Sequence, residues 1–291
     1  MKRLIILALT LTVGLSACDV LDLEPKDRVT QFDYFKTAND LELFSNPFYN
    51  NLLDKEPFDE QSDLLVQNTL SAILFGGSHR TVPESGGGWS WTDLRRMNTL
   101  LEYADMCEDK EAVTKYTAVT RFFRAFFYFE KVKRFGDVPW YEQVIGSEEE
   151  ELLKKPREDR GIIMDHVMND LKNAIEMLPR EKDVARVTRW SALALKSRIA
   201  LYEGTWRKYR NLPDADKYLQ LAADAASTFI SESGYSLYKE GTEPYRDLFC
   251  SDDAKQEEVI LARIYNFEGL NLSHNVQFNI RNSAAGFTRR F

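Results

Sequence analysis

Arg121-Phe122-Phe123-Arg124-Ala125-Phe126-Phe127-Tyr128-Phe129-Glu130-Lys131-Val132-Lys133-Arg134-Phe135-Gly136-Asp137-Val138-Pro139-Trp140 decides the fold of this chain. At 3.6 residues per turn, Phe122, Phe126 and Phe129 share one face and Phe123 and Phe127 the next, while Arg121, Arg124, Tyr128, Lys131 and Arg134 make a narrow polar stripe. A helix apolar over that much of its circumference has to be covered on two sides. Each buried Phe contributes about 1.5–3 kcal/mol of transfer free energy, so the segment predicts the centre of a helical core. Gly136 is placed to end it, because glycine takes positive φ without steric cost, and Asp137-Val138-Pro139 cannot continue a helix.

Outward from this segment the pattern stays helical. On the N-terminal side, Leu94, Met97, Leu101 and Ala104 recur on one face after Thr92, with Arg95, Arg96 and Glu102 opposite. Farther back, Thr37 reads as an N-cap with Asp40 in the first turn. Pro47 costs about 3 kcal/mol or more inside a helix, which predicts two short helices or a kink before Leu53. On the C-terminal side, Ile163, Val167, Leu171, Ala174 and Leu178 mark an amphipathic helix stopped by Pro179. Trp190, Leu193, Ala194, Ser197, Ala200, Leu201 and Gly204 then form a face of mostly small residues that lets a neighbour come close, and Leu219, Ala222, Ala223, Ala226, Phe229 and Ile230 supply that neighbour. Read as pairs, these helices make an internal repeat of the tetratricopeptide kind, broken by an insertion between Gly136 and Asp159. The expected class is mainly α, with long loop insertions and a few short strands.

The chain has 291 residues, 44% of them apolar, enough to bury a full core. A formal charge of −8 without a Lys/Arg cluster argues against a nucleic-acid partner. At the start, Lys2-Arg3, an apolar run over residues 4–13 and Leu15-Ser16-Ala17-Cys18 form a signal segment of residues 1–17. The run falls short of the ~20 apolar residues of a membrane span. Leu-Ser-Ala-Cys resembles a bacterial lipobox, which implies cleavage before Cys18 and its acylation; the alternative is an ordinary secretory signal. Cleavage takes Lys2 and Arg3 away and moves the formal charge from −8 to −10. Residues 18–36 read as an acidic, Pro-broken tether and 37–291 as the helical domain. Export means an oxidising compartment, where Cys107 and Cys250 either pair or act as small hydrophobes.

Residues 54–91 are polar and glycine-punctuated, ending in Gly86-Gly87-Gly88-Trp89-Ser90-Trp91. Long loops of this kind are functional or disordered. An indole face stacks on the apolar face of a sugar ring, glycine lets the backbone approach, and Arg95 and Arg96 on the following helix can donate to hydroxyls. The alternative is that both rings plug the core. Chemistry of other kinds has little support: His79, His166 and His274 lack ligand spacing, no nucleophile elbow or phosphate loop is present, and no metal or cofactor is expected. The run Glu148-Glu149-Glu150-Glu151 reads as a solvated loop, with a weak Ca²⁺ site as the alternative.

Residues 121–140, an Arg-rich aromatic helix running into Gly-Asp-x-Pro, resemble the signature of the SusD/RagB family. Similar landmarks are Leu21-Asp22-Leu23-Glu24-Pro25 after Cys18, the stretch 186–198, Leu201-Tyr202-Glu203-Gly204-Thr205, Gly234-Tyr235-Ser236-Leu237 and the strand expected at Glu258-Val259-Ile260-Leu261. The resemblance implies a tetratricopeptide-like scaffold with insertions and a lipid-anchored, surface-exposed outer-membrane protein. It also implies a non-enzymatic protein that binds glycan or another nutrient and passes it to a TonB-dependent, SusC-like transporter. Such chains carry a second half that this sequence stops short of, so the resemblance implies the N-terminal portion of a family member. Aromatic residues near Trp89 and Trp91 contribute to the family's glycan site. A scaffold lipoprotein that binds only a protein partner is the other reading, and an exported glycosidase trails both.

Overall fold

The computed structural model describes residues 34–52, 65–66, 81, 83–265 and 286–287. The signal segment 1–17, Cys18, the tether up to residue 33, Gly76-Gly77, His79 and His274 lie outside the described residues. In chain order the elements are α1 (Ala38–Leu52), β1 (Leu65–Val66), α2 (Thr92–Tyr103), α3 (Lys110–Phe135), α4 (Glu150–Leu153), α5 (Arg160–Met177), α6 (Arg189–Tyr209), α7 (Ala215–Glu232), α8 (Pro244–Cys250) and β2 (Gly286–Phe287). The two strands pair antiparallel, Leu65 opposite Phe287.

The quoted segment is the C-terminal part of α3, whose 26 residues make it the longest described element. Asp109 caps its start by accepting the N–H groups of Glu111 and Ala112, each at 3.0 Å. Gly136 closes it at φ 72°, its N–H donating to the Val132 carbonyl at 3.0 Å. Helices α1, α2 and α5 all pack on α3; α6 packs on α5 and α7 on α6, so helices near in sequence are spatial neighbours, as in a tetratricopeptide-like array.

The fully buried side chains include Phe123, Ala125 and Tyr128 of α3, Met97 and Leu100 of α2, and Ile163, Val167, Leu171 and Ala174 of α5. The polar stripe expected on α3 is partly a buried face: Arg124 and Tyr128 are inside, while Phe126 is only half-buried. The cause lies on α5, where Asp170, 2% exposed in its side chain, meets Arg124. Helix α1 runs through Pro47 as one element and not as two short helices. Phe48 and Tyr49 beside it pack on Phe123 at ring distances of 6.0 and 4.8 Å, so tertiary packing keeps the segment helical.

The small face of α6 does receive α7. A Cβ on Gly204 would lie 2.8 Å from Leu219 side-chain atoms and 2.9 Å from the Leu219 nitrogen, and the Ser197 hydroxyl donates to the Ala222 carbonyl at 3.0 Å. The buried arc of α6 nevertheless turns away from Leu201, which is 51% exposed, toward Glu203 and Arg207. Glu203 accepts from Arg160 of α5 at 2.7 Å and from Arg207 at 2.8 Å, so this arc carries a buried ion cluster that apolar spacing does not reveal. On α7, Tyr218, Ala222 and Ala225 face inward, whereas Ala223 and Ile230 are exposed. Glu258 belongs to a turn closed by N–H donation from Val259 to the Lys255 carbonyl at 2.8 Å, and no strand forms at 258–261. Neither Cys107, which is buried, nor Cys250, which is exposed, is in a disulfide.

Candidate functional site

The three glycines before Trp89 all take positive φ, 73°, 62° and 83°. Space adds to the constraint at Gly87 and Gly88, where a Cβ would come within 3.0 Å of Pro83 and 3.1 Å of the Arg134 side chain. Lys131 of α3 ties this turn down, its ammonium donating to the Gly88 carbonyl at 2.5 Å and lying 4.9 Å from the Phe127 ring centre. Burial, followed by the charge of Arg134, holds the Lys131 ammonium below the ordinary lysine range.

From this turn the tryptophans divide their work. Trp89 is the outer ring, 38% exposed, edge-on to Trp91 at 5.1 Å and to Phe135 at 4.8 Å. Trp91 is the inner ring, half-buried against Phe127, Tyr128 and Tyr141. Both line a cleft of about 590 Å³, together with Arg95 of α2, Tyr141, and a lip formed by residues 153–157. Three of the four residues singled out in the sequence therefore meet here. Arg96 is exposed on α2 and does not line the cleft.

The rest of the lining was not read from the sequence. Tyr141 and the basic lip Lys154-Lys155-Pro156-Arg157 belong to the insertion after Gly136, which folds back on itself through a bridge between Val138 and Glu158. Glu158 anchors that return: it accepts the Trp140 N–H at 3.0 Å and pairs with Lys155 at 2.6 Å. Burial pushes its carboxyl up, but these hydrogen bonds outweigh burial and hold it below the usual range. The adjacency of Pro139-Trp140-Tyr141 and a basic run within one insertion was the available signal.

A chain of polar contacts sets the cleft wall on the core. Asp170 accepts from Arg124 Nε at 2.7 Å and Nη2 at 2.8 Å, and from Arg121 at 3.1 Å. Arg124 Nη1 reaches Asn98 Oδ1 at 3.2 Å, and the Asn98 amide donates to the carbonyls of Tyr141 at 3.0 Å and Gln143 at 3.1 Å. The Tyr141 N–H donates to the Tyr128 hydroxyl at 2.7 Å, and burial pushes that hydroxyl's pKa up, keeping it neutral. Arg95 bonds the Ile145 carbonyl farther along the same wall. A second, polar cavity of about 550 Å³, lined by Glu102, Arg121 and Glu142 among others, shares Gln143 with the first.

Chemically, the main cleft offers aromatic faces backed by fixed carbonyls and edged with donors, an arrangement suited to a hydroxyl-rich ring. His166 is stacked on Trp140 at 4.5 Å. Glu149 is engaged by the Gly146 N–H and Glu150 by Lys154, and among the described residues no three His, Cys, Asp or Glu side chains are grouped to hold a metal.

Residues 90–201 match the SusD-like family model described as starch-binding and associating with the outer membrane. Over 269 residues the chain is 22% identical to a SusD-like protein of Formosa agariphila, covering 83% of this chain and 47% of that one. A SusD-like protein of Bacteroides ovatus is 28% identical over 156 residues, 52% of this chain and 26% of its own length. The crystal structure of a SusD-like protein from Bacteroides fragilis superposes with a TM-score of 0.62 at 23% identity, covering 80% of this chain and 46% of that one. The chain thus spans about half the length of the first of these relatives or less. The matched segment 90–201, which contains α3, the inner tryptophan and the wall of the cleft, is similar to the SusD-like family.

Proposed function

We propose that this chain binds oligosaccharide at the Trp89–Trp91 cleft as a lipoprotein of the outer membrane, held through acylated Cys18, and passes it without turnover to a TonB-dependent, SusC-like transporter. The observation that carries the reading is the half-open Trp89 ring at the mouth of a cleft of about 590 Å³, with Trp91 and Tyr141 behind it. A sugar ring needs a rigid apolar face held at the surface, and the glycine turn and Lys131 provide the rigidity. The SusD-like family matched by residues 90–201, starch-binding and associating with the outer membrane, supports the ligand class and location. Residues 1–17 as signal, 18–36 as tether and 37–291 as the binding domain complete the reading.

The test is calorimetric titration of the full chain and its Trp89→Ala variant with a panel of soluble oligosaccharides. Loss of binding in the variant with an unchanged circular dichroism spectrum is the expected result. Trp91→Ala should instead lower the melting temperature, since that ring packs on Phe127 and Tyr128. Binding unchanged in both variants would place the ligand elsewhere.

A further inference from the structure

We infer that the ligand of the Trp89 cleft is an anionic oligosaccharide, one bearing uronate carboxylates or sulfate esters; this rests on the glycan-binding reading above. The chain is acidic overall, with a formal charge of −8, yet among the described residues lining the cleft the charged ones are Arg95, Lys154, Lys155 and Arg157, with no Asp or Glu. A local excess of cations against an acidic background is a property of the site and not of the surface at large.

How those cations are engaged sharpens the point. Lys154 is paired with Glu150 at 2.5 Å and Lys155 with Glu158 at 2.6 Å, so the two ammonium groups are largely spoken for. The two guanidinium groups are different. Arg95 gives one donor to the Ile145 carbonyl, and Arg157 stands 4.8 Å over the Trp89 ring; among the described residues no carboxylate pairs with either. Arginine presents a planar fork that matches a carboxylate or sulfate bidentately, with charge-assisted hydrogen bonds about twice as strong as neutral ones. Arg157 is exposed and, among the described residues, held by the indole, so it can leave the Trp89 face as a sugar ring stacks there and take the anionic substituent of that ring. The aromatic ring and the guanidinium then read the two halves of one acidic sugar, its apolar face and its charge.

Calorimetry on the full chain with three probes, oligogalacturonate, a sulfated galacto-oligosaccharide and neutral maltohexaose, tests this. At low salt at least one anionic probe should bind about tenfold or more tighter than the neutral one, and the advantage should shrink at high salt, because exposed charges are screened within about 10 Å at 0.1 M. The probe that binds identifies the anion. Arg157→Gln should remove most of the advantage with an unchanged circular dichroism spectrum. Neutral binding as tight as anionic binding, or an advantage untouched by salt and by Arg157→Gln together with Arg95→Gln, would overturn the inference and leave glycan binding standing. Failure of the chain to bind any of the three would overturn both.

Discussion

Replacing Asp170 with Ala removes the acceptor of three N–H bonds, two from Arg124 and one from Arg121, and leaves a guanidinium whose side chain is 5% exposed without a counter-charge. Breaking one partner of a buried pair costs about 3–5 kcal/mol, because the remaining charge stays out of water with nothing to offset it. Against a total stability of about 5–15 kcal/mol this is a large fraction, and for a domain of this size it corresponds to a fall in melting temperature of roughly 6–20 °C. Urea unfolding followed by far-ultraviolet circular dichroism reads the change as a lower midpoint at constant slope. The double replacement Arg124→Met with Asp170→Leu should recover most of the loss, since an apolar pair needs no compensation. Near-ultraviolet dichroism should change in the single variant, because Arg124 lies 5.2 Å from the Trp140 ring. A midpoint unmoved by Asp170→Ala would mean that water reaches this pair, and the account of Arg124 as a buried member of the polar stripe would fail.

Three further outcomes are expected. Phe123→Ala should cost about 3–5 kcal/mol through lost burial and a cavity, while half-buried Phe126→Ala should cost roughly half as much, a ranking that denaturant midpoints check. Burial raises the Asp165 carboxyl, but hydrogen bonds from Lys217 and Tyr218, both at 2.8 Å, outweigh it and set the pKa below 3.8. Its contribution is therefore present above pH 3.8 and lost as pH falls through the folded value, so the difference in melting temperature between wild type and Asp165→Asn should close in acid. Cys18→Ser should leave an unprocessed or soluble species on membrane fractionation, and an unchanged mass and membrane fraction would refute the anchor.

Much of the scaffold was legible because it is written in local terms. Gly136 as the end of α3, Thr37 and Asp40 as the start of α1, and the inward face of α5 each depend on residues within a turn or two of one another. What escaped was set by distant partners. Nothing near Arg124 says that Asp170, 46 residues on, comes to face it, so Arg124 and Tyr128 of the polar stripe are in fact internal. The same holds for Leu201, left outside because Glu203 and Arg207 turn inward to meet Arg160. At the cleft, Trp89 and Trp91 could be picked out from the glycines before them, whereas the lip at 153–157 reaches the site only through the fold-back of the insertion.

The hydrogen bonds from Asn98 to the Tyr141 and Gln143 carbonyls divide the cleft into two parts with different tolerance for change. The wall is an extension of the core, and a substitution there is felt by the whole scaffold. The lip is not: Lys154 and Arg157 are exposed, and among the described residues Arg157's one ring contact is Trp89. New side chains at those positions can retune what is captured without renegotiating how the chain folds. If the cleft holds glycan as proposed, exchanging a handful of rim residues redirects one framework to a different saccharide.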